Sequence, residues 1–466
     1  RYRYEKNWKI SMNIPTRRKI SFIGGGGVRT PLVVFGVNES AQALGAEELV
    51  LYDPDHERVR IMTELGRAIV AQEGGSLRVR QATSIEDAID GSSFVLNSIR
   101  VGGIQARTHD ERASIALGYP GQETTGPGGV AMALRTISTA VEQARMVERL
   151  SPQAWLVNFT NPAGLITQAI KHNSNANVVG ICDTPTELLH RINTALGATP
   201  DEVHCEYVGL NHLGWVRRIH LRGEDVTDRL LADDHFLSQL YSVPLFEHDL
   251  IRTLRLIPSE YLFFYYSRRR ALENQRRQGS TRGAEIEQLN EKLIASLAES
   301  LQRGDGPTAI ATYAHYLNTR SGSYMKLEGE GNLDSDTTEK SEEDPFRAVS
   351  GYHRIALDVM KALCGSQPTR IIVNTQNRGS LAEVEPEDIV EVPCQIGNNT
   401  ITPEPCGKLP EAVRGLVLAV KAYERATIEA ALTGSNLAAR KAMLLYPAIG
   451  EWEPSKELLK QLIVHC

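Results

Sequence analysis

Cys182 and Asp183 stand side by side in Gly180-Ile181-Cys182-Asp183-Thr184-Pro185. Asn211 and His212 follow some thirty residues later, in Gly209-Leu210-Asn211-His212-Leu213-Gly214-Trp215. A thiolate and an imidazole that converge on one point are an economical way to hold a divalent transition ion. A buried cysteine and a capping histidine are the plain alternative, and the choice between them depends on where the chain delivers the two residues.

Residues 177–181 predict a short buried strand, because β-branched residues run up to a Thr-Pro that cannot continue it. Cys182 and Asp183 then fall at the carboxyl end of a strand, the edge where open α/β sheets bind ligands. A strand ending at Leu210 would bring His212 to the same crevice.

Upstream, a strand at 19–23 runs into Gly24-Gly25-Gly26-Gly27-Val28-Arg29-Thr30-Pro31, followed by a helix over about 31–44 and a strand over 48–52 that ends in Asp53. Glycines let backbone approach a pyrophosphate, the helix start faces its charge, and an acidic residue ending the second strand suits an adenosine ribose. Gly24, Gly26, Gly27 and Asp53 are thus candidates for holding NAD rather than NADP, with Arg100 after the next strand (93–99) as a further cofactor contact. A tight turn without a ligand is the simpler reading of the glycines alone.

The glycine-rich loop 121–129 precedes a helical run over 130–149. A strand at 154–159 and the one reaching Cys182 complete a parallel sheet of about six strands. The expected organisation is a tag or tail at 1–18, an α/β Rossmann-type domain at 19–195 and a mixed α+β domain at 196–466, an architecture of the lactate and malate dehydrogenase kind. In the second part, 215–221, 369–374 and 389–394 read as strands, and 227–256, 410–432 and 436–446 as helices. The aromatic run 257–266 reads most simply as a core helix, the basic run 268–282 as a solvated face, and 322–344 as a mobile acidic insertion.

The 466 residues carry a net charge of −6, which offers no basic surface for nucleic acid. No apolar run approaches the ~20 residues that cross a bilayer. Six cysteines without a CxxC pair fit a cytoplasmic chain with reduced thiols.

With these residues assembled, the chain resembles glycoside hydrolase family 4, the NAD- and manganese-dependent glycosidases, and within it the 6-phospho-β-glucosidases. The resemblance spans about residues 19–450 and rests most on residues 121–129, Asn158-Phe159-Thr160-Asn161-Pro162, Cys182-Asp183 and Gly209-Leu210-Asn211-His212. It implies Cys182 and His212 as ligands of manganese and Tyr261 as catalytic base. Asp183 takes the position of a proton donor in α-type members, and Glu123 that of a residue tuning the tyrosine. Arg107, Asn161, Asn211 and Arg282 are implied substrate contacts, the arginines suiting a sugar 6-phosphate. Asp183 stands where β-type members often carry Asn, and Gly27 where the family usually shows Ser.

The implied reaction is hydrolysis of an O-glycosidic bond: transient C3 oxidation by NAD+, metal-assisted C2 deprotonation, elimination, then water addition. This family departs from the usual two-carboxylate scheme. The implied assembly is a homodimer or homotetramer. The alternatives are an α-type or non-phosphorylated glycosidase of the family, a dehydrogenase of the lactate and malate type, and a non-catalytic sugar-phosphate or NAD sensor.

Overall fold

Strands covered by helices on both faces are apolar throughout rather than alternating. β1 (Arg18–Ile23) shows this, its last four residues all buried. It lies within a computed structural model that describes residues 18–322, 344–347 and 351–462. The expected tail and acidic insertion fall outside the described residues, apart from their boundary residues Arg18, Gly322 and Asp344.

β2 (Ala46–Tyr52), β3 (Arg78–Gln81), β4 (Ser92–Asn97), β5 (Trp155–Asn158) and β6 (Asn177–Gly180) join β1 in one parallel run, in the order β3-β2-β1-β4-β5-β6. The winding reverses between β1 and β4, where doubly wound sheets open a crevice. Register then sets the site. Ile23 lies opposite both Tyr52 and Asn97, Asn97 opposite Asn158, and Asn158 opposite Gly180. These strands end on one line, so Gly24, Asp53, Ser98, Phe159 and Cys182 reach the same edge. Phe22 stacks on Phe159 at 5.6 Å, and Phe159 meets Tyr352 at 6.1 Å, which ties that edge to the helix Tyr352–Cys364.

A second sheet holds the hairpin β7 (Val203–Leu210) and β8 (Leu213–Leu221), with β9 (Glu224–Asp225) and β10 (Ile257–Pro258) on β8. β11 (Thr369–Gln376), β12 (Ile389–Gly397) and β13 (Thr400–Pro403) return to the first sheet and extend it, antiparallel, beyond β6. Among the described residues the sheet therefore has nine strands, and its last three come from the chain's second half.

Other elements differ locally from expectation. The helix expected over 31–44 breaks at Ser40 into Thr30–Glu39 and Ala41–Leu44. The long helix begins at Gly126 rather than Val130, with Gly128 and Gly129 in its first turn. A Cβ at either would collide with the carbonyl of Gln122 or Thr124, so these glycines serve close backbone packing. The aromatic run 257–266 is not one core helix but β10, a 3-10 turn and a four-residue helix. Among the described residues no helix is long and apolar enough to cross a membrane.

Candidate active site

Two residues, Asn211 and His212, connect β7 to β8, and His212 takes φ 58°. β10 hangs on β8 with Pro258 opposite Trp215, and the Ser259 amide donates to the Gly214 carbonyl at 2.9 Å. The 3-10 turn Glu260–Leu262 thus starts over the hairpin and lays the Tyr261 ring on the His212 ring. Their centroids are 3.7 Å apart and their planes 12° from parallel. Both side chains are buried. Burial pushes the imidazole down to about 3 and keeps it neutral. Its Nε2 has no hydrogen-bond partner among the described residues. A neutral imidazole with an open nitrogen is the form that ligates a metal ion.

Cys182 follows the end of β6 and is fully buried. Burial, then the neighbouring Glu391 and Asp183 carboxylates, hold its thiol well above the ordinary range. Such a thiol loses its proton readily only beside a cation that stabilises the thiolate. Cys182 and Tyr261 both lie within electrostatic reach of the Tyr352 phenol, and Tyr261 covers His212, so these side chains share one neighbourhood. Among the described residues no three His, Cys, Asp or Glu form a closed metal cage. Cys182 and His212 would instead leave coordination positions open for a substrate.

Asp183 precedes the helix Thr184–Ala195, yet its side chain makes no cap hydrogen bond. Burial raises it to about 6, against the pull of Arg29 and a hydrogen bond from Tyr352. The Arg29 guanidinium lies 4.1 Å above the Tyr352 ring. Burial alone would lower Arg29, but Tyr352, Asp183, Glu123 and Tyr261 outweigh it and raise it.

Glu123 is held between two guanidiniums, Arg100 at 2.6 Å and Arg107 at 2.9 Å. Burial would raise its carboxyl, but Arg100 and Arg107 overcome that and hold it far below the usual range. Arg107 also meets Glu111 at 2.7 Å, and Glu111 accepts from the Gly283 amide at 2.6 Å. Arg282 is therefore next to this chain of charges, and its own guanidinium donates to the Arg320 carbonyl at 2.8 Å.

On the dinucleotide side, Gly24 has φ +91° and a Cβ there would strike the Ser98 carbonyl. A Cβ on Gly26 would lie 3.0 Å from the Asp53 carboxylate, which accepts the Gly26 amide at 3.1 Å. Gly27 completes the turn, its amide donating to the Gly24 carbonyl at 3.0 Å. The loop is thus folded onto the acidic end of β2. Arg100, the further cofactor candidate, is paired with Glu123 at 2.6 Å.

Asn161 Oδ1 is buried without a hydrogen-bond partner among the described residues, an open acceptor for a ligand hydroxyl. The Asn211 amide is engaged at both ends, accepting from Gly164 N at 3.3 Å and donating to Glu391 at 3.1 Å. Sequence reasoning missed Arg29, Tyr352 and Glu391. A glutamate among the apolar residues of Ile389–Gly397 was the readable signal for the last; Arg29 and Tyr352 gave none, since only the fold brings them together.

Comparison with known proteins finds relatives along almost the whole chain. The profile of the family 4 glycosyl hydrolases matches residues 19–198, and that of the family's C-terminal domain matches residues 207–449. A probable 6-phospho-beta-glucosidase of Bacillus subtilis is 31% identical over 455 residues, covering 96% of this chain and 95% of the relative. A maltose-6'-phosphate glucosidase of the same organism is 26% identical, covering 95% of this chain and 94% of its own. The 6-phospho-beta-glucosidase of Thermotoga maritima, solved with NAD and glucose-6-phosphate, superposes with a TM-score of 0.81 at 26% identity, covering 96% of this chain and 98% of that one. The same enzyme has also been solved with manganese present. A lactate dehydrogenase of Eimeria maxima shares the fold at a TM-score of 0.51 and 14% identity, with 91% and 98% of the two chains covered. From the glycine loop to the C-terminal helices, this chain belongs to family 4 of the glycosyl hydrolases.

Proposed function

We propose that the protein hydrolyses the O-glycosidic bond of 6-phosphorylated β-glucosides, with NAD+ and a divalent manganese ion as resident groups. The observation that carries this reading is the buried stack of Tyr261 on His212, with the imidazole's open Nε2, at the sheet edge where Cys182 also ends. Cys182 and His212 would hold the ion, one thiol and one neutral imidazole being a donor pair that suits a first-row transition metal. Gly24, Gly26, Gly27 and Asp53 would hold the dinucleotide. When bound, the two groups supply a reversible hydride sink and Lewis acidity at the sugar's oxygens.

The chain's own residues have distinct tasks. Tyr261 takes the proton from C2 of the sugar at its phenolic oxygen, and the cations Arg29 and Arg107, both in electrostatic contact with it, favour the phenolate this requires. Glu123 fixes Arg100 and Arg107 and keeps their charge from dispersing. Asp183, protonated up to about pH 6, is suited to give a proton to the departing aglycone oxygen. Asn161 accepts a sugar hydroxyl, and Arg107 and Arg282 face the phosphate. Burial of Tyr261, His212 and Arg107 keeps bulk water from them, so charge there acts in a low dielectric.

The β preference is supported by two relatives named for 6-phospho-beta-glucosides, at 31% and 28% identity, although a third such relative at 26% is no more similar than those named for α-type substrates, at 25% and 26%. Asp183 favours a second reading, an α-type 6-phosphoglucosidase. One panel separates these: α- and β-nitrophenyl glucosides, with and without the 6-phosphate, assayed with NAD+ and Mn2+ under reducing conditions. Cleavage confined to the 6-phospho-β compound is expected. Stoichiometric NADH release without nitrophenol would point instead to a dehydrogenase.

A further inference from the structure

The two candidate metal ligands come from different sheets, and one buried carboxylate links their supports. Glu391, 1% exposed in the middle of β12, accepts from Asn374 Nδ2 at 3.0 Å and from Asn211 Nδ2 at 3.1 Å on Oε1. Its Oε2 accepts from the Tyr207 hydroxyl at 2.8 Å. Two donors belong to the hairpin that carries His212 and one to the sheet that carries Cys182. Asn374 lies opposite Glu391 across β11 and β12, and opposite Gly180, two residues before Cys182. Asn211 is the other residue of the hairpin turn that carries His212. Tyr207 lies in β7, the strand that leads into that turn.

Close packing at three glycines accompanies these contacts. A Cβ at Gly180 would lie 2.8 Å from the Asn374 Cβ, one at Gly164 would lie 2.9 Å from the Asn211 Cβ, and one at Gly214 would collide with the Tyr207 hydroxyl. Three absent side chains therefore let three donors close on one carboxylate. The main-chain link between β6 and β11 is a single residue pair, Gly180 with Asn374. Side-chain hydrogen bonds must do what a longer ladder would otherwise do.

We infer that Glu391 is a positioning residue that locks the His212 hairpin to the Cys182 strand end and so sets the spacing of the metal-binding pair. It acts through Asn211 and Asn374. Groups of this kind, behind the ligands, tune metal affinity by about 10- to 100-fold. The inference rests on Cys182 and His212 being the metal ligands, as proposed above.

The test is Mn2+ binding to the full chain after chelation, in the presence of reductant, followed by the EPR signal of free Mn2+. NAD+ affinity is measured alongside by calorimetry. Glu391→Ala is expected to weaken Mn2+ at least 10-fold while NAD+ affinity stays within about twofold. Glu391→Gln keeps an acceptor for both asparagines and can donate to Tyr207, so it is expected to restore Mn2+ affinity to near wild type. If Glu391→Ala does not fold, Asn374→Ala, which severs only the sheet side of the link, is expected to weaken Mn2+ severalfold. Wild-type Mn2+ affinity in folded Glu391→Ala or Asn374→Ala, or equal loss of Mn2+ and NAD+ binding in Glu391→Ala, overturns the inference. Cys182→Ser and His212→Ala separate the two levels. Wild-type Mn2+ binding in these would overturn the metal reading itself, whereas their loss of binding beside an unaffected Glu391→Ala would overturn only the role of Glu391.

Discussion

Tyr261 lies flat on His212, ring centroids 3.7 Å apart, so a phenol and an imidazole from separate elements form one buried slab. Phenylalanine preserves that stack and removes only the hydroxyl. Tyr261→Phe should keep the wild-type melting temperature and lower kcat by about 10³-fold, the usual worth of a general base. Steady-state assays with the phosphoglucoside, paired with thermal unfolding, check this. Substantial residual turnover in a folded variant would remove Tyr261 from its role.

Glu123 joins Arg100 and Arg107 in a partly desolvated triad. Removing Glu123 leaves the Arg100 and Arg107 guanidiniums facing each other, with Glu111 on Arg107 as partial compensation, and breaking a buried pair costs about 3 kcal/mol or more. Glu123→Ala should therefore lose about that much stability in urea unfolding, and Arg100→Ala distinctly less, because Arg107 retains Glu111 and Glu123.

His353, buried in the helix Tyr352–Cys364, is pushed down to about 4, first by burial and then by Arg354. Its folded pKa lies below the unfolded value near 6.5, so the unfolded chain binds the proton more tightly. Stability from this residue is intact above pH 6.5 and is lost as pH falls from there toward 4. At pH 5 the loss is roughly 2 kcal/mol. His353→Gln should flatten the acid side of the stability profile by that amount, as read by denaturant unfolding at pH 7.5 and pH 5 on the metal-free protein.

Much of this was legible because it is local. β1, the glycine turn and Asp53 follow one another within about 35 residues, and each announces itself by composition. The Asn211-His212 turn was equally visible. β3 was not, since Arg78–Gln81 is a short polar edge strand without an apolar alternation. The extension of the sheet by β11 to β13 was hidden for a different reason: its junction with β6 is one residue pair almost two hundred positions apart in sequence. No periodicity records such a contact. Glu391 belongs to that junction, and Arg29 and Tyr352 make a separate long-range contact, at 4.1 Å, that joins the glycine loop to a helix of the second half.

Asp53 accepts the Gly26 amide and stands at the end of β2, where a ribose would rest. A 2′-phosphate there would face its carboxylate. Asp53→Ala should weaken NAD+ by about tenfold, from lost charge-assisted hydrogen bonds, and should narrow the gap between NAD+ and NADP+. Calorimetric titration of both dinucleotides checks the prediction.

The most direct measurement is hydrolysis of the 6-phospho-β-glucoside in D2O, with catalytic NAD+ and Mn2+, followed by NMR of the glucose 6-phosphate released. Deuterium at C2 in the product, absent when NAD+ is withheld or Tyr261 is replaced by Phe, is the expected result. Full-rate cleavage that leaves C2 protonated, or that proceeds without NAD+, would contradict proton removal by Tyr261.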